Sequence, residues 1–292
     1  MRSIAAKTHY NLESEPQPPA SMLASAQLWW SILQMCVAER LAYRGDFVLG
    51  TTMRFLPIVT QIFLWTAVFA SAGSGEMVGY TRNDVVAYYL LTMIARAFSS
   101  MPGLASGMAR QIRDGEIKKF LIQPIDLIGF SLVARLGHKL VYYGVAIGPF
   151  ALVFFLCRGY FPGWPPGETL VAFLLSLALS FLLGFFLEAC LGLAGFWTLE
   201  ISSLLFVYML FNFFFSGHMF PLEVLPDPWR TWVGYLPLKY LAYFPAAVFL
   251  EKIPEQQLWR DVWVLAAWVV FFMALSRRLK HAGFRRYSGY GG

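Results

Sequence analysis

The sequence predicts an all-α integral membrane bundle, and three observations carry that prediction. The 292 residues are 58% hydrophobic and only 14% charged, whereas a soluble domain stands at roughly 45–50% and about 25%. Mean hydropathy is +0.56. The apolar residues gather into long runs without the period-two alternation of a barrel strand. Backbone in lipid must satisfy its own hydrogen bonds, so such runs read as helices.

A helix needs about 20 apolar residues to cross a hydrocarbon layer of roughly 30 Å. Runs at 47–71, 84–110, 131–157 and 169–196 meet that length most clearly. Two more, 201–220 and 261–279, complete six predicted transmembrane helices, the fifth and its sequel being interrupted by Gly and Pro. Ahead of them, residues 1–20 are polar and Pro-rich, carry Glu13 and Glu15, and lead into no apolar core with a small-residue cleavage site. They read as a disordered cytoplasmic N-terminus, not a signal peptide. Residues 21–44 mix Leu28, Trp29, Trp30 and Leu33 with Gln27, Gln34, Glu39 and Arg40, too polar a blend to span. An interfacial helix with both tryptophans at headgroup depth is predicted, the alternative being a helix packed on other spans. The domain plan is therefore a six-span unit over 21–280 followed by a cytoplasmic tail, 281–292. No internal repeat is visible.

Orientation follows from the basic residues. With the N-terminus inside, the cytoplasmic side collects Arg40, Arg44, Arg110, Arg113, Lys118, Lys119 and the tail residues Arg277, Arg278, Lys280, Arg285 and Arg286, with Arg135 and Lys139 near it. The short outer loops hold only Arg82 and Arg158, and the longer outer segment mixes both signs. This is the positive-inside pattern, with both termini cytoplasmic. The net charge of +6 thus reports topology and contact with anionic membrane lipids, and no nucleic-acid partner is expected.

Catalytic and metal chemistry find no support. The sequence has no Gly-x-x-x-x-Gly-Lys-[Ser/Thr] phosphate loop, no His-Glu-x-x-His and no Gly-x-Ser-x-Gly elbow. His9, His138, His218 and His281 stand in unrelated settings, and Cys36, Cys157 and Cys190 lie in apolar sequence as packing residues. No metal or cofactor site is predicted on this chain.

The compact charged stretch at 110–126 is the exception to an apolar chain. Asp114 is positioned to cap a short helix that has Gly115 and Glu116 in its first turn and Lys118 and Lys119 later, the charge order that suits the helix dipole. Gln123, before Pro124, marks its end. Ile117, Phe120 and Leu121 share one face, which leaves Glu116, Lys118 and Lys119 elsewhere. A plain interfacial loop that enforces topology is the alternative.

Charges inside the spans cost roughly 2.5–3.5 kcal/mol each on insertion scales. Arg54 lies near the cytoplasmic start of its span and can snorkel. Arg96 and Glu188 sit deeper, and are predicted to pair with each other or to line a cavity. Pro102 predicts a kink in the second span, and the pairs Gly103/Gly107 and Gly144/Gly148 permit close helix neighbours within the chain or across a dimer.

The pattern Arg113-Asp114-Gly115-Glu116 followed by Leu121-Ile-Gln-Pro124, set between the second and third spans, resembles the cytoplasmic segment of permeases in the type-2 ATP-binding-cassette (ABC) transporter superfamily. In that family the segment is a coupling helix that docks into the nucleotide-binding subunit. The resemblance extends over roughly residues 25–285. A second motif, Gly217-His-Met-Phe220-Pro221-Leu222-Glu-Val-Leu225-Pro226-Asp-Pro228-Trp229 with Leu236-Pro237 beyond it, resembles the family's outward-facing re-entrant hairpin, here 217–240. An interfacial loop with an aromatic belt is the alternative for this stretch.

The resemblance implies a permease subunit in a bacterial plasma membrane, paired with a second permease, identical or related, and with cytoplasmic ATPase subunits that hold ATP and Mg. It implies export. Phe206, Phe211, Phe213, Phe214 and Phe215 in the fifth span suit an amphipathic or lipid-like cargo, and equally suit lipid-facing packing. Two other classes stay open: a secondary transporter or channel using Arg96 and Glu188, and a membrane scaffold that anchors a cytoplasmic partner.

Overall fold

A computed structural model describes residues 22–41, 44–72, 76–77, 79–123, 125–198 and 200–287. Its helices are α1 (Met22–Leu41), α2 (Arg44–Ala72), α3 (Arg82–Ser99), α4 (Leu104–Arg113), α5 (Lys119–Ile122), α6 (Leu127–Leu156), α7 (Gly167–Leu193), α8 (Ser202–Phe215), α9 (Trp229–Tyr235), α10 (Tyr243–Phe249) and α11 (Glu255–Arg286). Among the described residues the β structure is one antiparallel ladder between β1 (Glu76–Met77) and β2 (Tyr80–Thr81), in the loop between α2 and α3.

Among the described residues, three helices are long and apolar enough to cross a membrane: Leu127–Leu156, Gly167–Phe196 and Glu255–Arg286. They correspond to the predicted third, fourth and sixth spans. At 1.5 Å per residue each reaches about 40 Å or more, ample for the hydrocarbon layer. Of the other three predicted spans, the first falls within α2, one helix of 29 residues, whereas the second and fifth are not single helices of that length. Among the described residues the apolar stretch of α2 is Pro57–Ser71, and α8 has 14 residues, a length of about 21 Å. The predicted second span is two helices, because Pro102 and Gly103 interrupt it: α3 stops at Ser99, Gly103 takes φ 74°, and α4 starts at Leu104.

Local sequence accounts for several boundaries. Thr81 and Asp84 form a reciprocal capping box at the start of α3. Asp126 caps α6 by accepting from the Gly129 amide at 2.7 Å. Pro166 and Pro254 precede α7 and α11, where their missing amides cost nothing.

The core is organised on α7. Ala172, Ser176, Ser180, Leu183, Phe185, Ala189 and Leu193 along it are fully buried, and α11, α4, α3 and α10 all pack against it. Its small residues set the approach. A Cβ on Gly184 would fall 2.0 Å from the Ser99 carbonyl oxygen, and one on Gly192 would fall 3.0 Å from the Ala105 backbone. Of the two sources expected for neighbours of Gly103, Gly107, Gly144 and Gly148, the chain itself supplies none among the described residues: a Cβ at each meets nothing within 4 Å.

The N-terminal helix also departs from expectation. α1 lies along α6, with Trp29 against Gly129 and Leu33, Cys36 and Val37 against Gly137. This is the packed alternative. Gly129 and Gly137 provide the groove, so Trp29 turns inward and Trp30 alone of the two is exposed.

Candidate functional site

The 110–123 segment alternates anchors with exposed charges. Ile112, Gly115, Ile117 and Phe120 are buried, while Arg113, Asp114, Glu116, Lys118 and Lys119 are exposed. Asp114 is not the N-cap that its sequence context predicts; it terminates α4, its amide donating to the Arg110 carbonyl at 2.8 Å. The chain reverses because Gly115, at φ 77°, takes the left-handed conformation that opens a short 3-10 turn over Glu116–Lys118. α5 then ends at Ile122, before Gln123, as predicted. Leu121 faces outward instead of joining Ile117 and Phe120, and with Ile122, 81% exposed, it forms an apolar tip beside the charges. Pro124 lies outside the described residues.

Two ion pairs brace this segment. Arg113 reaches Glu200 at 3.4 Å, in the turn before α8. The Ser202 hydroxyl and amide, with smaller help from Arg113, hold the Glu200 carboxyl below its ordinary range. Lys280 on α11 binds Asp126 at the start of α6. Burial works against ionisation of Asp126, but the Lys280 ammonium, the Gly129 amide and the Arg277 charge outweigh it, and the carboxyl is held below the usual aspartate range. Asp126, Glu200 and Lys280 were not among the predicted site residues. Their only sequence signal is position, at helix starts and in a basic tail.

Further in, the interruption at 100–103 is satisfied from α6. Lys139, buried to 6% exposure, donates to the Ala97 carbonyl and, at 2.7 Å, to the Ser100 carbonyl. Arg135, one turn earlier, donates to the Pro102 carbonyl at 2.8 Å. The Ser99 hydroxyl donates to the Leu241 carbonyl at 2.7 Å. Sequence reasoning missed this arrangement; two cations spaced i, i+4 in an apolar helix place both on one face, the one signal that could have pointed to it.

Two cavities flank the same interruption. The larger, about 520 Å³, is lined by Pro57, Ile58, Gln61, Tyr89, Met93, Tyr142, Phe150, His218 and Met219, with Arg96, Ser100 and Pro102 on its edge. The smaller, about 340 Å³, has Glu188, Ser106, Tyr208, Asn212 and Ser216 on its wall, and shares Arg96, Ser100 and Pro102 with the first. Arg96 and Glu188 therefore line one cavity, the second of their predicted alternatives. No ion pair joins the two among the described residues; the cations acting on Glu188 are Arg135 and Lys139. The Arg54 side chain lies outside the described residues.

On the far side, the 217–240 segment leaves and returns at one point, where the Tyr243 amide donates to the Ser216 carbonyl at 2.9 Å. Gly217, at φ 77°, is required there: a Cβ would fall 2.5 Å from the Tyr243 Cβ. Pro221 leads into a 3-10 turn, the Pro226 carbonyl accepts from the Arg230 amide at 3.2 Å, Trp229 opens α9 and Pro237 starts a second 3-10 turn. Glu223 joins these pieces to the loop before α3. Its Oε1 accepts from the Tyr243 hydroxyl and, at 3.4 Å, from the Tyr80 hydroxyl, while the Tyr88 hydroxyl donates to the Gly217 carbonyl.

The ABC-2 family transporter proteins match residues 55–291, most of the chain. This chain belongs to the ABC-2 transporter family. No curated protein matches it. As an ABC-2 membrane protein it contains both features described here within the matched region, the 113–123 turn and the two cavities at Arg96, whereas α1 lies outside it.

Proposed function

We propose that this ABC-2 protein is the permease subunit of an ATP-driven exporter in a bacterial plasma membrane, working with a second permease and with separate ATPase subunits that bind ATP and Mg. The observation that carries the reading is the cytoplasmic turn. Arg113, Asp114, Glu116, Lys118, Lys119 and the apolar tip of Leu121 and Ile122 are all exposed, yet Ile117 and Phe120 root them in the bundle. A rigid turn with outward charges and no catalytic group suits contact with another protein. The chain crosses six times with both termini in the cytoplasm; α3 and α4 together make one crossing, and the 217–240 segment forms the outer hairpin. The second permease, identical or related, covers α8, a helix that exposes Phe206, Val207, Met209, Phe211 and Phe214 and buries none of its residues within this chain. ATP-driven closure of the ATPases shifts a two-state bundle because they bind its two states differently.

The test is isolation from native membranes in mild detergent. An ATPase chain is expected to co-purify, with hydrolysis that depends on this protein. Isolation without an ATPase overturns the reading and leaves the secondary-transporter and scaffold classes.

A further inference from the structure

We propose that an anionic phospholipid seats its headgroup on the basic end of α11, with its acyl chains along the same face of that helix. α11 has 32 residues, a length of about 48 Å at 1.5 Å per residue. The hydrocarbon layer is roughly 30 Å thick and the bilayer with its headgroups about 40–45 Å, so the ends of α11 stand among the headgroups. Steps of three and four residues keep to one face of a helix. Trp263, Ala267, Val270 and Ala274 follow those steps and are all exposed. The same steps continue into Arg277, Arg278, His281 and Arg285, which are exposed as well. A lipid-facing apolar stripe thus runs without a break into a basic one. An anionic lipid matches both halves, with acyl chains on the first and phosphate on the second, whereas a soluble acidic protein matches the basic half alone.

The basic face is held in place from behind. Gly283 leaves no room for a Cβ against the Phe196 ring, and the Phe284 and Tyr287 rings meet Phe196 edge-on. Lys280 binds Asp126 at the start of α6. The end of α11 is thereby fixed to α6 and to the turn that closes α7, and a surface already ordered loses less entropy on taking up a ligand. Among the described residues no ion pair engages Arg277, Arg278, His281 or Arg285. Asp126, the carboxylate on which the Arg277 charge acts, is already bound by Lys280. The site stands on the geometry of α11 and is independent of the permease reading.

The test uses the full chain with its co-purifying partners in phosphatidylcholine nanodiscs, doped in turn with phosphatidylglycerol and phosphatidylcholine probes that carry a diazirine on one acyl chain. Adducts on the peptide holding Val270 and Ala274 should form about fivefold or more in excess from the phosphatidylglycerol probe, since a single basic residue near an anionic surface contributes a factor of about that size. Arg277→Gln, Arg278→Gln and Arg285→Gln together should bring the two probes level. Lys at the same three positions should keep the preference, because a point charge still binds phosphate. Salt at about 1 M, where the screening length is about 3 Å, should also reduce it; this arm needs no variant and decides the matter if the Gln variant does not fold. Equal labelling of the native chain by the two probes, or a preference that survives the Gln substitutions or the salt, overturns the proposal. Crosslinks from this stripe to another protein chain in place of lipid adducts overturn it too, and give the face to that partner. Absence of an ATPase defeats the permease reading while the comparison of probes still decides this site.

Discussion

The interruption at 100–103 and the turn at 113–123 bound the same short helix, α4, and they direct their polar groups oppositely. At the interruption the freed carbonyls of Ala97, Ser100 and Pro102 are taken by Lys139 and Arg135, and Gly184 seats the Ser99 backbone against α7. At the turn, Arg113, Asp114, Glu116, Lys118 and Lys119 remain exposed. Non-helical backbone at membrane depth survives only when protein or a water-filled cavity satisfies it. Backbone beyond the membrane has water for that purpose, so its side chains are available to a partner. The inner region is thus expected to fail by unfolding, and the outer turn by losing a partner while the fold persists.

The largest expected effect is at the inner region. Gly184→Leu places even its Cβ 2.0 Å from the Ser99 carbonyl oxygen, and overpacking of backbone on backbone should cost about 3 kcal/mol or more. Thermal unfolding in detergent should show a large fall in midpoint, or no folded protein at all. Gly144→Leu is the contrast, because a Cβ there meets nothing within 4 Å; its monomer stability should change by no more than about 0.5 kcal/mol. Equal midpoints for the two would mean that α3 and α7 do not meet as described.

Lys139→Met comes next. It retains volume but leaves the Ala97 and Ser100 carbonyls without their charged donor, a loss of about 1.5–3 kcal/mol for hydrogen bonds of this kind. Arg135→Met removes one such bond, to Pro102, and should cost less by the same thermal measurement. The reverse ranking would show that the interruption depends on its exposed edge.

These two residues also mark the limit of what composition and spacing disclose. Long apolar runs made the third, fourth and sixth helices legible, since length and hydropathy alone decide them. Pro102 announced the break in the second. The groups that satisfy the break were not legible: Arg135 and Lys139 read as topology signals near the cytoplasm, because nothing in a linear sequence shows a side chain folding back onto another helix. Asp114 failed for a related reason. An aspartate before a charged turn reads as an N-cap, but Gly115 can take φ 77°, and that freedom moved the helix boundary by one residue. Arg96 and Glu188 line one cavity, and sequence could not choose between a pair and a shared cavity. The α1 groove depended on Gly129 and Gly137, two glycines without a motif.

At the 113–123 turn, stability and assembly should separate. Reversing Asp114 and Glu116 together to Lys should shift the thermal midpoint little, since exposed charges contribute about 0–1 kcal/mol. ATPase retention on the purified chain should fall about tenfold or more, equivalent to about 1.4 kcal/mol. A variant that keeps its ATPase and its transport would remove the turn from the coupling path and erase the contrast with the inner region.

The smallest effect concerns the brace between the turn and α11. Asp126 is 45% exposed and Lys280 is 14% exposed, so a double-mutant cycle of Asp126→Asn and Lys280→Met should give a coupling of about 0.5–1 kcal/mol after screening. Asn retains a capping oxygen for the Gly129 amide, which keeps the helix start out of the comparison. The Asp126 carboxyl is held below its usual range in the folded protein. Its contribution is therefore complete above the ordinary aspartate value of about 3.9 and is lost as pH falls through the lower folded value. The midpoint difference between the native chain and Lys280→Met should accordingly be constant near neutral pH and close on acidification. A difference that stays open at acid pH would mean that Lys280 acts through its packed methylenes, and that the brace, like the inner helix break, is a matter of burial and not of charge.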